Sequence, residues 1–140
     1  MIHPNRSISP DQGRGLLQRF RDLNLGPCGI DVGDQARVTV AGCLSLDHPV
    51  EGGVRYSLLE PSGAQRVLGI QWSDGRLEIG LSAEVEPGAS SSFGVTLGRD
   101  GLGRIAAPEL GARLDLERPD AKEVEHFLRR IVRAAYARAS

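Results

Sequence analysis

The residues best suited to metal or thiol chemistry in this chain are three histidines and two cysteines. They are scattered along the sequence as His3, Cys28, Cys43, His48 and His126. None of them stands at the spacing that is typical of zinc ligands. We therefore expect no metal site and no cofactor. A chain of 140 residues can bury a hydrophobic core without a disulfide bond, so both cysteines are expected to be free thiols.

Three other segments resemble catalytic motifs only in part. Glu84 and Glu86 share a face if their segment is a strand, and two such carboxylates would suit general acid–base catalysis. A solvated strand edge explains the two residues as well. The run "GRDGLGR" at 98–104 lacks the Lys-Ser/Thr of a phosphate-binding loop and predicts a hairpin turn. The run "GASSSFG" at 88–94 has no G-x-S-x-G frame and predicts a flexible polar loop. The protein is therefore predicted not to be an enzyme.

The first element that the sequence predicts is a helix near the N-terminus. Ser9 and Gln12 have the spacing of a capping box. Two glycines, Gly13 and Gly15, weaken the helix by about 1 kcal/mol each, so it is expected to need tertiary contacts. The apolar residues that follow at helical spacing are Leu16, Leu17, Phe20 and Leu23.

The middle of the chain changes from helical to alternating periodicity. Its apolar runs are "ARVTVAGCLSL", "VRYSLLE", "AQRVLGIQW", "RLEIGLSAEV", "FGVTL" and "GRIAA". Short links rich in glycine, proline and aspartate separate most of them. Such short links favour antiparallel pairing, because parallel neighbours need a crossover of about a dozen residues.

The last element is a strongly amphipathic helix. Asp120 and Glu123 have the spacing of a second capping box. One face carries an apolar stripe, which consists of Val124, Phe127, Leu128, Ile131 and Ala135. The other face carries three arginines: Arg129, Arg133 and Arg138. We expect these side chains to face solvent, and the second interpretation is that they bind a partner.

These elements predict an α+β fold with an N-terminal helix, an antiparallel sheet of five to six strands, and a C-terminal helix packed on the sheet. Residues 1–140 are expected to form a single domain, with residues 1–8 flexible.

Charge and hydropathy exclude several classes of protein. The net charge is −1, with basic ends and an acidic middle, and no strongly basic domain is present, so we expect no nucleic-acid partner. No apolar run is long enough to span a membrane and the N-terminus does not look like a secretory signal, so we expect no membrane partner and a cytoplasmic location.

From Phe93 to Ser140 the sequence resembles the C-terminal part of type III secretion chaperones, and the N-terminal helix followed by "ARVTVAG" resembles their opening. This resemblance implies a homodimer that binds the N-terminal segment of a secreted effector and keeps it export-competent. By position, the implied partner-binding residues are Leu16, Leu17, Phe20, Val38 and Val40. This chain departs from the family at the position of the family's middle helix, where it reads "LSAEVEPGASSSFG", a segment with a proline, several serines and little helical pattern.

Two other functions fit the same elements. A curved sheet wrapped around the C-terminal helix would resemble helix-grip lipid-binding folds, and the protein would then be a small-molecule or lipid carrier with a cavity lined by Trp72, Phe93 and Phe127. The third hypothesis is an immunity or regulatory protein that binds one protein partner through the acidic sheet.

Overall fold

The structure, a computed structural model, describes residues 8–23, 28–33, 36–45, 53–73, 75–83, 91–99, 104–115 and 120–139. In chain order the elements are α1 (Pro10–Asp22), β1 (Cys28–Gly33), β2 (Ala36–Ser45), β3 (Gly53–Leu59), β4 (Gln65–Ser73), β5 (Arg76–Ala83), β6 (Ser91–Thr96), β7 (Gly98–Arg99), β8 (Ile105–Ala107), the 3₁₀ helix η1 (Pro108–Leu110), β9 (Ala112–Leu114) and α2 (Ala121–Ala139).

The strands form two antiparallel sheets. The larger one is a six-stranded meander in the order β1-β2-β3-β4-β5-β6, and the smaller one is β7-β8-β9. The predicted α+β class, with one helix at each end and an antiparallel sheet of six strands, is confirmed.

Three details of the strand prediction were wrong. The run "GRIAA" contributes β8 to the smaller sheet, and the sixth strand of the larger sheet is β1, whose sequence "CGIDVG" has only two alternating apolar residues. Ser91 and Ser92, predicted to lie in a flexible loop, begin β6, because they pair with Leu81 and Gly80 of β5.

The first helix begins as its sequence predicts. The Ser9 hydroxyl accepts a hydrogen bond from the Gln12 N–H (3.2 Å), and the Gln12 side chain accepts one from the Ser9 N–H (3.0 Å). Ile8, within the stretch predicted to be flexible, is buried in the core, while residues 1–7 lie outside the described residues.

Gly13 has a packing role in this helix. A Cβ atom placed on Gly13 would collide with the Trp72 indole, lying 2.7 Å from its Cε3 atom. The helix therefore rests directly on Trp72 of β4, which is itself buried in the core. This close approach explains why a poor helix former stands inside α1, and it supplies the tertiary contact that the sequence requires.

The two helices meet over the sheet. The Phe20 and Phe127 rings lie 5.9 Å apart in a tilted arrangement that suits an aromatic pair. The Tyr56 hydroxyl of β3 donates a buried hydrogen bond to the Phe20 carbonyl (2.8 Å). The C-terminal end of α1 is thereby fixed to both α2 and the sheet.

The second helix buries its predicted stripe. Asp120 accepts a hydrogen bond from the Lys122 N–H (2.9 Å) at its start. Every residue of the stripe is at most 3% exposed: Val124, Phe127, Leu128, Ile131 and Ala135. The helix contacts β1, β5 and β6 as well as β9 and η1, so it lies between the two sheets. Within the described part, no helix is long and apolar enough to cross a membrane.

The larger sheet curls around α2. If it were flat, five strand spacings would hold β1 and β6 about 24 Å apart, roughly twice the diameter of a helix. However, α2 contacts both strands. Register shifts in β1 and β2, together with Gly69 facing Gly80 on neighbouring strands, are features that let a sheet bend in this way.

Candidate functional site

The curled sheet has two edges, β1 and β6, and these are its natural sites for binding another polypeptide. An edge strand presents backbone N–H and C=O groups that an added strand can pair with. The strands of the smaller sheet are only two or three residues long, which makes them poor templates.

Which groups of β6 face outward follows from its pairing with β5. The Leu97 N–H donates to the Gly75 carbonyl (3.2 Å), and these residues stand opposite each other at the end of the ladder. Hydrogen-bonded pairs alternate along an antiparallel ladder, so the backbone groups of Ser92, Gly94 and Thr96 point away from β5. Among the described residues, none donates to or accepts from these outward groups, which we call the β6 edge.

The sequence of β6 has no feature that would protect this edge. Its six residues, "SSFGVT", include no charged residue and no proline, and its pairing with β5 continues without a register shift. Natural sheets usually protect exposed edges with charges, prolines or bulges. Phe93 lies on the inner face and is half-buried, with the Arg138 guanidinium 4.8 Å from the centre of its ring.

The opposite edge, β1, is closed by α2. Arg129 Nη1 donates to the Gly29 carbonyl (3.0 Å), and Arg133 Nε donates to the Asp31 carbonyl (2.9 Å). These two carbonyls lie two residues apart and therefore on the same side of the strand. Two more features protect β1 against pairing with a further strand: the register shift next to Asp31 and the charge of the Asp31 carboxylate.

Arg133 and Arg138 of the arginine face of α2 are exposed, as predicted, and Arg129 is half-buried, but all three also make contacts that the sequence did not predict. Arg129 and Arg133 hold β1, and Arg138 packs on Phe93 of β6. Sequence reasoning missed this role because each arginine lies about forty or more residues from its partner.

Cys28 is part of the contact between β1 and α2. Its Sγ atom accepts a hydrogen bond from Arg129 Nη2 (2.8 Å) and lies 3.6 Å from Glu125 Oε1. Arg129 also forms an ion pair with Glu125 (3.3 Å). Cys28 is free, as expected, whereas the side chain of Cys43 lies outside the described residues. We infer that these contacts among Cys28, Glu125 and Arg129 hold α2 against β1.

On the outer face of the sheet, each edge strand has a glycine covered by an arginine from its neighbour. A Cβ atom placed on Gly94 would lie 2.7 Å from Cζ of Arg76, and one placed on Gly29 would lie 2.9 Å from Cζ of Arg37. Arg76 is half exposed and its Nε atom is 4.0 Å from Glu78 Oε1, at the limit of an ion pair. The two edges therefore carry the same arginine-over-glycine arrangement, although only the β1 edge is closed.

The residues predicted to bind a partner form part of the core. Each is at most 1% exposed: Leu16, Leu17, Phe20, Val38 and Val40. The side chains of the three α1 residues point from the helix into the core, and those of the two β2 residues lie on the inner face of the sheet. A partner could reach these side chains only if α1 moved away from the sheet, and their binding role stays a prediction.

The three aromatic residues proposed to line a carrier's cavity have separate neighbours. Trp72 packs against Gly13, Phe127 against Phe20, and Phe93 beneath Arg138. Trp72 and Phe127 are buried in the core. No specific contact therefore favours the carrier function.

The remaining candidates for chemistry form no cluster in the described part of the chain. His126 is exposed on α2, while His3, His48, Glu84 and Glu86 lie outside the described residues. No group of three His, Cys, Asp or Glu side chains that could hold a metal ion occurs among the residues described.

Tyr136 is the one described residue with a clearly shifted pKa. Burial, followed by the nearby Glu60 carboxylate, raises the pKa of its phenol, and Arg66 opposes this effect. The hydroxyl oxygen is buried, but Glu60 is not placed with hydrogen-bond geometry to it. Tyr136 therefore stays neutral at physiological pH.

The chain shows no significant similarity to models of protein families, to curated proteins or to solved structures. The candidate site therefore depends on geometry alone, and the β6 edge is the surface that the geometry favours.

Proposed function

We propose that this protein is a cytoplasmic chaperone that binds an extended segment of a partner polypeptide along the β6 edge. The observation that carries this proposal is the difference between the two edges. Arginines of α2 occupy the outward carbonyls of β1, whereas the outward groups of Ser92, Gly94 and Thr96 have no hydrogen-bond partner among the described residues. The resemblance to type III secretion chaperones implies that the partner is the N-terminal segment of a secreted effector and that the chaperone is a homodimer.

An extended segment matches this edge for a simple chemical reason. Each outward residue offers one N–H and one C=O, and another strand presents the same groups at the same spacing. Each hydrogen bond contributes a net stabilisation of about 0.5–1.5 kcal/mol. Such pairing uses the backbone of the partner and holds it extended, and side chains beside the edge can add a preference for particular residues.

Strand addition at β6 leaves the folded core intact. The predicted partner-binding residues on α1 and β2 would stay buried, because β6 lies at the far side of the sheet from β2. Binding through Leu16, Leu17 and Phe20 would instead require α1 to leave the sheet. We therefore place the first contact with the partner at the β6 edge.

The substitution Thr96→Pro tests this proposal. Proline removes the outward N–H of Thr96 and places a ring in the path of an added strand, yet it breaks no bond to β5, because that N–H points away from β5. We expect the protein to stay folded and to bind its partner at least about tenfold more weakly, which corresponds to about 1.4 kcal/mol. Thr96→Val, which keeps the N–H and suits a strand, is the matched control and should bind normally.

Native mass spectrometry of the protein purified from its source organism provides the measurement. We expect two copies of the chain bound to one secreted protein, with the complex depleted for Thr96→Pro and retained for Thr96→Val. A monomer without a protein partner would contradict the chaperone function. A monomer that releases a lipid or an aromatic compound on denaturation would favour the carrier, and a non-secreted partner would favour the immunity or regulatory protein.

A further inference from the structure

Among the described residues, the outer face beside the β6 edge carries two charged side chains, Arg76 and Glu78, the second of which pairs with Gly94 across the ladder. The guanidinium of Arg76 is the nearer of the two to the edge at Gly94. This group lies over Gly94, where no side chain separates it from the edge. Its described ionic partner, Glu78, is 4.0 Å away, and the Arg76 and Glu78 side chains are 53% and 46% exposed. Arg76 can therefore accept a second acidic partner without losing a strong bond.

Strand geometry fixes which residue of a bound segment would meet Arg76. The outward groups of Gly94 would form a hydrogen-bonded pair with the residue opposite, whose Cα atom would lie about 5.5 Å away. The side chain of that residue would project from the outer face, as a side chain on Gly94 would. Its Cβ atom would stand about 4.5–5.5 Å from the Gly94 position that Arg76 covers, within reach of a carboxylate.

We propose that the β6 edge prefers an extended segment with an acidic residue opposite Gly94, and that Arg76 recognises this residue. The proposal depends on strand addition at β6 as the function of the site. The neighbouring residues of the segment would project from the inner face, one beside the buried Val95 and one beside Phe93, whose ring the Arg138 guanidinium covers. The proposed preference therefore concerns only the residue opposite Gly94.

The β1 edge provides an internal comparison. Arg37 covers Gly29 there in the same way, but Arg129 and Arg133 occupy the outward carbonyls of β1. A strand cannot be added at β1 without displacing these arginines. Substitution of Arg37 should therefore leave the binding of extended segments unchanged.

Three synthetic peptides test the proposal by fluorescence anisotropy. Each alternates valine with threonine, and the central threonine position is replaced by glutamate, glutamine or lysine. For the unsubstituted protein we expect the glutamate peptide to bind about two- to fivefold more tightly than the glutamine peptide, the range for an exposed ion pair, and the lysine peptide to bind most weakly. Arg76→Glu should reverse this order, and Arg37→Glu, the matched control, should preserve it.

The possible outcomes separate the two proposals. Equal binding of all three peptides, with no change of order for Arg76→Glu, would overturn recognition by Arg76 and leave strand addition intact. If Arg37→Glu also changed the order of the three peptide affinities, recognition by Arg76 would be overturned too, because the preference would then follow the net charge of the protein. If none of the peptides binds, strand addition at β6 fails, and recognition by Arg76 fails with it.

Discussion

Ile131→Asp is expected to unfold the protein at neutral pH. Ile131 is fully buried where α2 packs inside the curled sheet. Removal of a buried isoleucine costs about 2–5 kcal/mol, and an unpaired carboxylate in an apolar core adds several more. Because a domain of this size is stable by only about 5–15 kcal/mol, the sum is comparable to the whole free energy of unfolding. Circular dichroism should show loss of the native signal.

The matched control is Arg133→Glu, which places an acidic residue on the same helix two positions further on. Arg133 is exposed and donates one hydrogen bond to the Asp31 carbonyl, which water can replace. We expect this variant to stay folded and to lose about 0.5–1.5 kcal/mol. A cooperative urea transition for Ile131→Asp within about 2 kcal/mol of the unsubstituted protein would contradict the assignment of α2 as the centre of the core. Loss of partner capture by a folded Arg133→Glu would instead assign a binding role to the arginine face.

Gly13→Ala is expected to destabilise the protein, although alanine is the better helix former. Helix propensity alone predicts a gain of about 1 kcal/mol. The new methyl group, however, would collide with the Trp72 indole that packs against the helix. Overpacking of this kind costs about 1–3 kcal/mol and at times more, so we expect a net loss in the free energy of unfolding measured in urea.

A double-mutant cycle with Trp72→Leu identifies the cause. The smaller side chain removes the ring that alanine would meet, so Trp72→Leu should cost at least about 1 kcal/mol less in the Gly13→Ala background than alone. Arg19→Ala, on the exposed face of α1, serves as the control and should change stability by no more than about 0.5 kcal/mol. A stability gain for Gly13→Ala would show that α1 does not rest on Trp72.

The helices and most strands could be predicted because their signals are local. The capping box at Ser9 and the apolar stripe around Ile131 depend on spacings within one element, and both are present in the structure. Strand β1 gave a weaker signal, since Ile30 and Val32 are the only large apolar residues in a segment that contains two glycines. Its place in the sheet depends on pairing with β2.

The candidate site could not be predicted because it depends on contacts between residues that are far apart in the sequence. Whether β6 or β1 is open is decided by Arg129 and Arg133, which lie about a hundred residues from their carbonyl partners. The serines at the start of β6 favoured a loop on composition alone. One signal was present in the sequence: the predicted strand "FGVTL" contains no charged residue and no proline, and these are residues with which natural sheets usually prevent pairing at an exposed edge.

Amide hydrogen exchange tests strand addition at β6 most directly, measured residue by residue with and without the glutamate peptide. In the free protein the amides of Ser92, Gly94 and Thr96 should exchange quickly, and binding should protect these three while the intervening amides, already paired with β5, change little. Unchanged exchange at all three, with faster exchange along α1, would contradict binding at the β6 edge and would indicate that the partner displaces α1 to reach Leu16, Leu17 and Phe20.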